Sequence, residues 1–212
     1  MDIRNWLFDN KVFSIYKSNL PVICVGNLSA GGNGKTPLVR MIVSELQKIG
    51  MQPVVVSRGY GGKIKGPYKV SVSDTPIDVG DEALIYAGDG VPTVIGRSRV
   101  AAVKFVESNK VGNVVVLDDG FQHRWLARDL NIVTVNCATD SDVEAFLVGH
   151  LLPLGRFREN RDRALSRADM IVFARRSLSD GDGDIDPRLV PFGKKVGLYY
   201  SSAFSAPRFI SI

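Results

Sequence analysis

The chain has little that would tie it to an oxidising compartment, a bilayer crossing or a nucleic acid. Two cysteines stand among 212 residues. Cys24 falls inside a strand-like run and Cys137 follows another, so buried free thiols are expected rather than a disulfide. No signal-peptide pattern and no long uninterrupted apolar span is visible. The expectation is a cytoplasmic protein, or one lying on the cytoplasmic face of a membrane. Aromatic residues make up only 8% and are not interleaved with the basic ones, and no recognition motif occurs, so nucleic acid is not an expected partner. A net charge of +5 permits an anionic ligand without demanding one. No internal repeat is present. The 45% apolar content is enough for a buried core, and the length suits one large domain or a domain plus appendages.

What is present centres on Val22-Ile23-Cys24-Val25-Gly26-Asn27-Leu28-Ser29-Ala30-Gly31-Gly32-Asn33-Gly34-Lys35-Thr36-Pro37. An apolar strand feeds a glycine-rich loop that ends in Gly-Lys-Thr ahead of a helical pattern. Loop N–H groups in that order cradle phosphate, the lysine adds positive charge, and the threonine hydroxyl is placed to ligate Mg²⁺. The strict phosphate-loop pattern needs glycine where Ser29 stands, so the match fails by one residue. The flanking strand and helix supply the context that the motif requires.

Strand-like runs at 22–25, 54–56, 94–95, 114–117, 132–135 and 170–173 are short and apolar throughout, as strands buried on both faces are. Between the first two, Leu38, Val39, Met41, Ile42 and Leu46 recur at helical spacing. Pro37 sits in that helix's first turn and Gly50 offers its stop. Residues 97–109 repeat the helical pattern. The expected fold is a phosphate-loop-type α/β domain, a doubly wound and mostly parallel sheet with helices on both faces. It should span residues 21–212, after an amphipathic segment at 1–20. That segment, with Ile3, Trp6, Leu7, Val12, Phe13 and Tyr16 among Arg4, Lys11 and Lys17, reads either as a helix packed on the domain or as a membrane-surface element. The aspartate-rich stretch 179–186 lacks the glycine and glutamate of a calcium loop.

Four further clusters follow strands or turns. Val114-Val115-Val116-Leu117 runs into Asp118-Asp119, where a phosphate-loop enzyme places its second Mg²⁺ element. Gly80-Asp81-Glu82 opens a helical segment. Asp81 there is a general base, a metal-shell carboxylate or simply a helix cap, and the residues alone favour the cap. Arg58 precedes Gly59-Tyr60-Gly61-Gly62 and suits either an anionic ligand or a surface turn. Arg156, Arg158, Arg161, Arg163 and Arg167 follow Leu151-Leu152-Pro153-Leu154-Gly155, and read either as a solvated helix face or, beside those apolar residues, as a site for an acylated, phosphorylated ligand. His123 lies behind the aspartate pair, placed to orient one of them or a nucleotide, while His150 is isolated. Besides a kinase, a nucleotide switch or an ATPase acting on a protein partner fits these residues.

The chain resembles the bacterial tetraacyldisaccharide 4'-kinases of lipid A synthesis. The resemblance rests on Gly31-Gly32-Asn33-Gly34-Lys35-Thr36-Pro37, Ser57-Arg58-Gly59-Tyr60-Gly61-Gly62, Val79-Gly80-Asp81-Glu82, Asp118-Asp119-Gly120-Phe121-Gln122-His123 and Leu152-Pro153-Leu154-Gly155-Arg156-Phe157-Arg158-Glu159. It implies ATP-dependent phosphorylation of the 4'-hydroxyl of an acylated glucosamine disaccharide phosphate, at the cytoplasmic face of the inner membrane. By position it implies that Ser29, Ala30, Gly31, Gly32, Asn33, Gly34, Lys35 and Thr36 bind the ATP phosphates. It assigns Thr36, Asp118, Asp119 and Glu82 to Mg²⁺, makes Asp81 the catalytic base beside Lys35 and Arg58, and puts His123, Arg158 and Glu159 at the substrate. Family members also carry a longer N-terminal membrane helix and a C-terminal domain that supplies a histidine. The two histidines here are His123 and His150, so a fragment or a naturally short form is expected.

Overall fold

Strands that are apolar at every position need partners on both faces, and the sheet supplies them. A computed structural model describes residues 2–29, 34–175, 186–192 and 197–201. Ala30, Gly31, Gly32 and Asn33 of the expected loop, and 179–185 of the aspartate-rich stretch, lie outside the described residues. In chain order the elements are α1 (Asp2–Asp9), β1 (Val22–Asn27), α2 (Lys35–Lys48), β2 (Pro53–Ser57), β3 (Tyr68–Lys69), α3 (Pro76–Val79), α4 (Asp81–Gly88), β4 (Thr93–Ile95), α5 (Arg99–Ser108) and β5 (Val114–Asp118). Then come β6 (Leu130–Asn136), α6 (Asp140–Val148), α7 (Arg161–Leu165), β7 (Met170–Arg175), a 3₁₀ turn (Val190–Phe192) and β8 (Gly197–Ser201).

Among the described residues the strands form one sheet of order β3-β4-β2-β5-β1-β6-β7-β8. Every pairing is parallel except that of the edge strand β3 with β4. Successive residues of the central strands enter opposite layers. Cys24, Val54, Val56, Leu117 and Val133 pack with Ala102, Val103 and Val106 of α5 and Phe146 of α6. Val25, Val55, Val116, Ile132 and Val172 pack with Leu38, Val39 and Val43 of α2 and Tyr86 of α4. Each large side chain buried this way contributes about 1.5–3 kcal/mol. The six expected strands all form, with bounds shifted by one or two residues. Edge strand β3 has no periodic pattern that announces it.

β1 lies between β5 and β6, so chain order reverses across it. The crevice beyond its carboxyl end is where open α/β sheets bind ligands. Gly26 lets the next layer approach: a Cβ there would stand 2.5 Å from Phe121 Cβ and drive the 118–123 turn off β1. At the N-terminus, α1 packs on the domain. Phe8 is buried edge-on to Phe13 and Trp125, with ring centroids 5.1 and 4.8 Å away. Ile3 and Trp6 on the same helix stay 80% and 59% exposed. No described helix is long and apolar enough to cross a membrane. Both cysteines are buried free thiols, as expected.

Candidate active site

The loop after β1 ends at Gly34, which sits left-handed at φ 70° and caps α2. Lys35 and Thr36 therefore occupy the helix's first turn, where unpaired N–H groups and the helix dipole favour an anion. β5 runs parallel to β1 on one side and ends in Asp118. The two aspartates that follow one another in sequence have different surroundings. Asp118 is buried at 1% exposure. Its Oδ2 accepts a hydrogen bond from the Tyr86 hydroxyl at 3.0 Å. The Thr36 hydroxyl lies near the Tyr86 hydroxyl and acts on it. Burial, and secondarily the Glu82 charge, pushes the Asp118 carboxyl up to about 6. Asp119 instead takes a left-handed backbone (φ 51°) and faces two cations. Its carboxylate lies 3.7 Å from Lys35 Nζ and 3.5 Å from Arg158 Nη1.

Arg158 reaches this point because its segment runs alongside the loop. Ser29 bridges to Phe157, and Arg158 N–H donates to Leu28 C=O at 2.9 Å. The arginine cluster does not act as one patch. Arg156 pairs with Asp142 at 2.6 Å. Arg161 pairs with Asp162 and donates to the Phe146 and Leu147 carbonyls at the end of α6. Arg167 pairs with Glu159 at 2.7 Å. Glu159, expected at the substrate, is 2% exposed and also accepts from Asn5 Nδ2 at 3.1 Å. Its carboxylate braces α1 against the 157–167 segment. Of the named arginines, Arg158 is the one ion-paired at the crevice.

Asp81 and Glu82 open α4 and are exposed. The helix cap is Gly80, not Asp81, and its φ is 87°. A Cβ on Gly80 would meet the Tyr60 carbonyl oxygen at 2.3 Å, so the Arg58 loop and the Asp81 turn pack directly on each other. Arg58 is itself exposed, and its charge acts on Arg99 and His123. Two guanidiniums that the motif pattern did not single out, the buried Arg99 and the partly buried Arg128, hold the turn after β5. Arg99 donates to Asp119 C=O at 3.2 Å, and Arg128 to the Gly120 and His123 carbonyls. Tyr86 was also missed. Its signal is a polar-tipped aromatic on the core face of the helix that Asp81 begins.

His123 is partly buried, and its Nε2 has no hydrogen-bond partner. Burial, and then the charges of Arg99, Arg128, Arg4 and Arg58, lower it from 6.5 to about 4. The unfolded chain therefore binds more protons than the folded one between pH 6.5 and 4, and folding stability falls as pH drops through that window. The unscreened shift corresponds to roughly 3 kcal/mol, and solvent screening at this only partly buried site reduces the expected loss to about 1–2 kcal/mol. Denaturant unfolding of wild type and His123→Gln across pH 4–7 checks this. The gap between the two should move in favour of the variant on acidification, and a gap that stays constant would refute the assignment.

A glycine-rich segment between β1 and a helix starting Lys-Thr, with a buried aspartate ending the neighbouring parallel strand, places the chain in the phosphate-loop nucleotide-binding class. The family can be stated more narrowly. The model of the family described as LpxK, Tetraacyldisaccharide-1-P 4'-kinase, matches residues 1–196, and the chain belongs to that family. The tetraacyldisaccharide 4'-kinase of Chlorobaculum parvum is 41% identical over 184 residues, covering 82% of this chain and 49% of the relative. That of Aeromonas hydrophila is 44% identical over 159 residues, covering 74% and 46%. The chain spans about half the length of the curated relatives it matches. The solved structure of LpxK from Aquifex aeolicus in complex with ATP superposes with a TM-score of 0.77 at 32% identity, covering 93% of this chain and 59% of that one. FlhF complexed with GMPPNP and Mg²⁺ shares the fold, with a TM-score of 0.54 at 10% identity.

Proposed function

We propose that this chain is the nucleotide-binding, phosphoryl-transferring core of an ATP-dependent kinase. Its acceptor is the 4'-hydroxyl of a tetraacylated glucosamine disaccharide 1-phosphate, a lipid A precursor. The observation that carries the reading is the crevice at the end of β1. There Lys35 and Arg158 share one carboxylate, Asp119, beside the first turn of α2. A triphosphate entering that crevice meets two cations held in place and N–H groups aimed at it. The family's name and the ATP complex of the Aquifex relative support ATP as donor and the disaccharide as acceptor.

The residues fit a Mg²⁺ ion. Asp118 Oδ1 is buried with no hydrogen-bond partner, close to Thr36 through Tyr86 and within the field of Glu82. No cluster of three His, Cys, Asp or Glu able to hold a metal occurs among the described residues. Nucleotide-bound Mg²⁺ needs none, since it takes one or two carboxylates and fills the rest with phosphate and water. Asp118 and Thr36 would hold it, with Glu82 in its outer shell. Bound there, the ion would neutralise negative charge on the nucleotide's phosphates. Asp119, which faces Lys35 and Arg158, keeps those cations in register until the phosphates take its place.

Asp81 accepts the proton of the attacking 4'-hydroxyl. The new O–P bond forms at the γ-phosphorus as its bond to the bridging oxygen breaks, and ADP leaves. Arg58 and neutral His123 line the approach from the acceptor side. The acyl chains and a peripheral contact with the inner membrane's cytoplasmic face belong to two exposed apolar elements. These are α1 with Ile3 and Trp6, and the turn carrying Leu151, Leu152 and Leu154, the last 92% exposed. Both attach to the same segment, α1 through Asn5 to Glu159 and the turn through Leu151 to Phe157. That segment also carries Arg158, so a lipid surface there lies beside the crevice.

Acceptor dependence tests the reading. With γ-labelled ATP, label is expected on the acylated disaccharide phosphate and nowhere in its absence except slow hydrolysis. ATP turnover that a protein partner stimulates, with no label ever reaching the lipid, would replace the kinase with a switch or ATPase.

A further inference from the structure

Tyr86 is fully buried on α4, its ring packed in the layer that contains Val25, Leu38 and Val116. A ring in that layer has no packing need for a hydroxyl. The hydroxyl is nonetheless engaged. It donates to Asp118 Oδ2 at 3.0 Å, and the Thr36 hydroxyl stands near enough to act on it from the other side. One side chain from a third element, α4, thus links the first turn of α2 to the end of β5. Those are the two elements from which the site draws its metal-holding oxygens. The bond to Oδ2 also fixes the carboxylate's rotation and leaves Oδ1, buried and unpartnered, as the oxygen available for a ligand.

We propose that Tyr86 is a positioning residue for the divalent cation of the nucleotide, holding Thr36 and Asp118 at a common point through its hydroxyl. The inference rests on the kinase reading of the site. The tyrosine touches neither substrate nor reacting atoms; it acts through the two residues that do meet the metal. A phenylalanine at 86 fills the same space and makes neither interaction. Thr36 is then free to rotate, and Asp118 loses the donor that orients it. Outer partners of this kind typically change metal affinity by about 10–100-fold when removed.

The test is Tyr86→Phe in the full chain, read first by Mn²⁺ titration of the ATP-saturated protein, with free Mn²⁺ followed by electron paramagnetic resonance. Mn²⁺ affinity should fall about tenfold or more. Metal-free ATP affinity and the thermal midpoint should stay near wild type, which a merely structural tyrosine would not allow. Unchanged Mn²⁺ affinity overturns the proposal, and so does an equal loss of metal-free and metal-bound ATP affinity. If the variant does not fold, 3-fluorotyrosine placed at position 86 of the wild-type sequence answers instead. Its ¹⁹F resonance should move when Mg²⁺ joins bound ATP, and a resonance that stays at its ATP-only position refutes the inference. Failure of the wild-type chain to bind ATP at all would instead sink the underlying kinase reading, so the two failures are distinguishable.

Discussion

Lys35→Ala is expected to abolish measurable phosphoryl transfer, a loss of at least about 10³-fold, or roughly 4 kcal/mol of transition-state stabilisation. Lys35 is only 11% exposed and points at Asp119 across 3.7 Å, so its ammonium is already placed where charge must be neutralised. Removing it also leaves Asp119 to Arg158 alone. The crevice then offers the γ-phosphate one cation, and that cation is already paired with a carboxylate. ATP affinity should fall as well, though less than turnover, because the α2 N–H groups and Arg158 remain. Single-turnover kinetics with saturating ATP separates the two effects. A variant that transfers phosphate at near-wild-type rate would remove Lys35 from the mechanism.

Asp81→Ala is expected to behave differently. Turnover should drop by about 10²–10⁴-fold, the usual worth of a positioned general base. ATP binding should stay within about twofold, because Asp81 stands at the exposed start of α4 while the proposed phosphate site lies at the start of α2. Calorimetric ATP titration beside the transfer assay checks both halves. A matching loss in binding would make Asp81 a nucleotide ligand rather than the base. The substitution itself is mild for the fold: the helix cap is Gly80, so no capping bond is lost.

The architecture was legible because of a physical regularity. A parallel strand covered by helices on both faces must be apolar at successive positions, and residues 114–117 and 170–173 are. Strand β3 escaped because two residues at a sheet edge carry no period. The site was legible where backbone geometry demands particular residues, at Gly34-Lys35-Thr36 and at the turn where Gly80 meets the Tyr60 carbonyl. It was not legible where the partner of a side chain decides its role. Asp118 and Asp119 are alike in sequence; burial and Tyr86 single out one, while Lys35 and Arg158 engage the other. Glu159 and Arg158 are neighbours, yet one is closed off by Arg167 and Asn5 and the other reaches the crevice. Tyr86 itself reads as one more core aromatic until its hydroxyl is seen between Thr36 and Asp118.

The most direct measurement is a crystal structure of this chain with Mg²⁺ and a non-hydrolysable ATP analogue. The account predicts the γ-phosphate against Lys35 at the first turn of α2, the metal on Thr36 and Asp118, and the Lys35–Asp119 pair opened by the incoming phosphates. A nucleotide seated elsewhere on the molecule, with the Lys35–Asp119 pair intact, would contradict it.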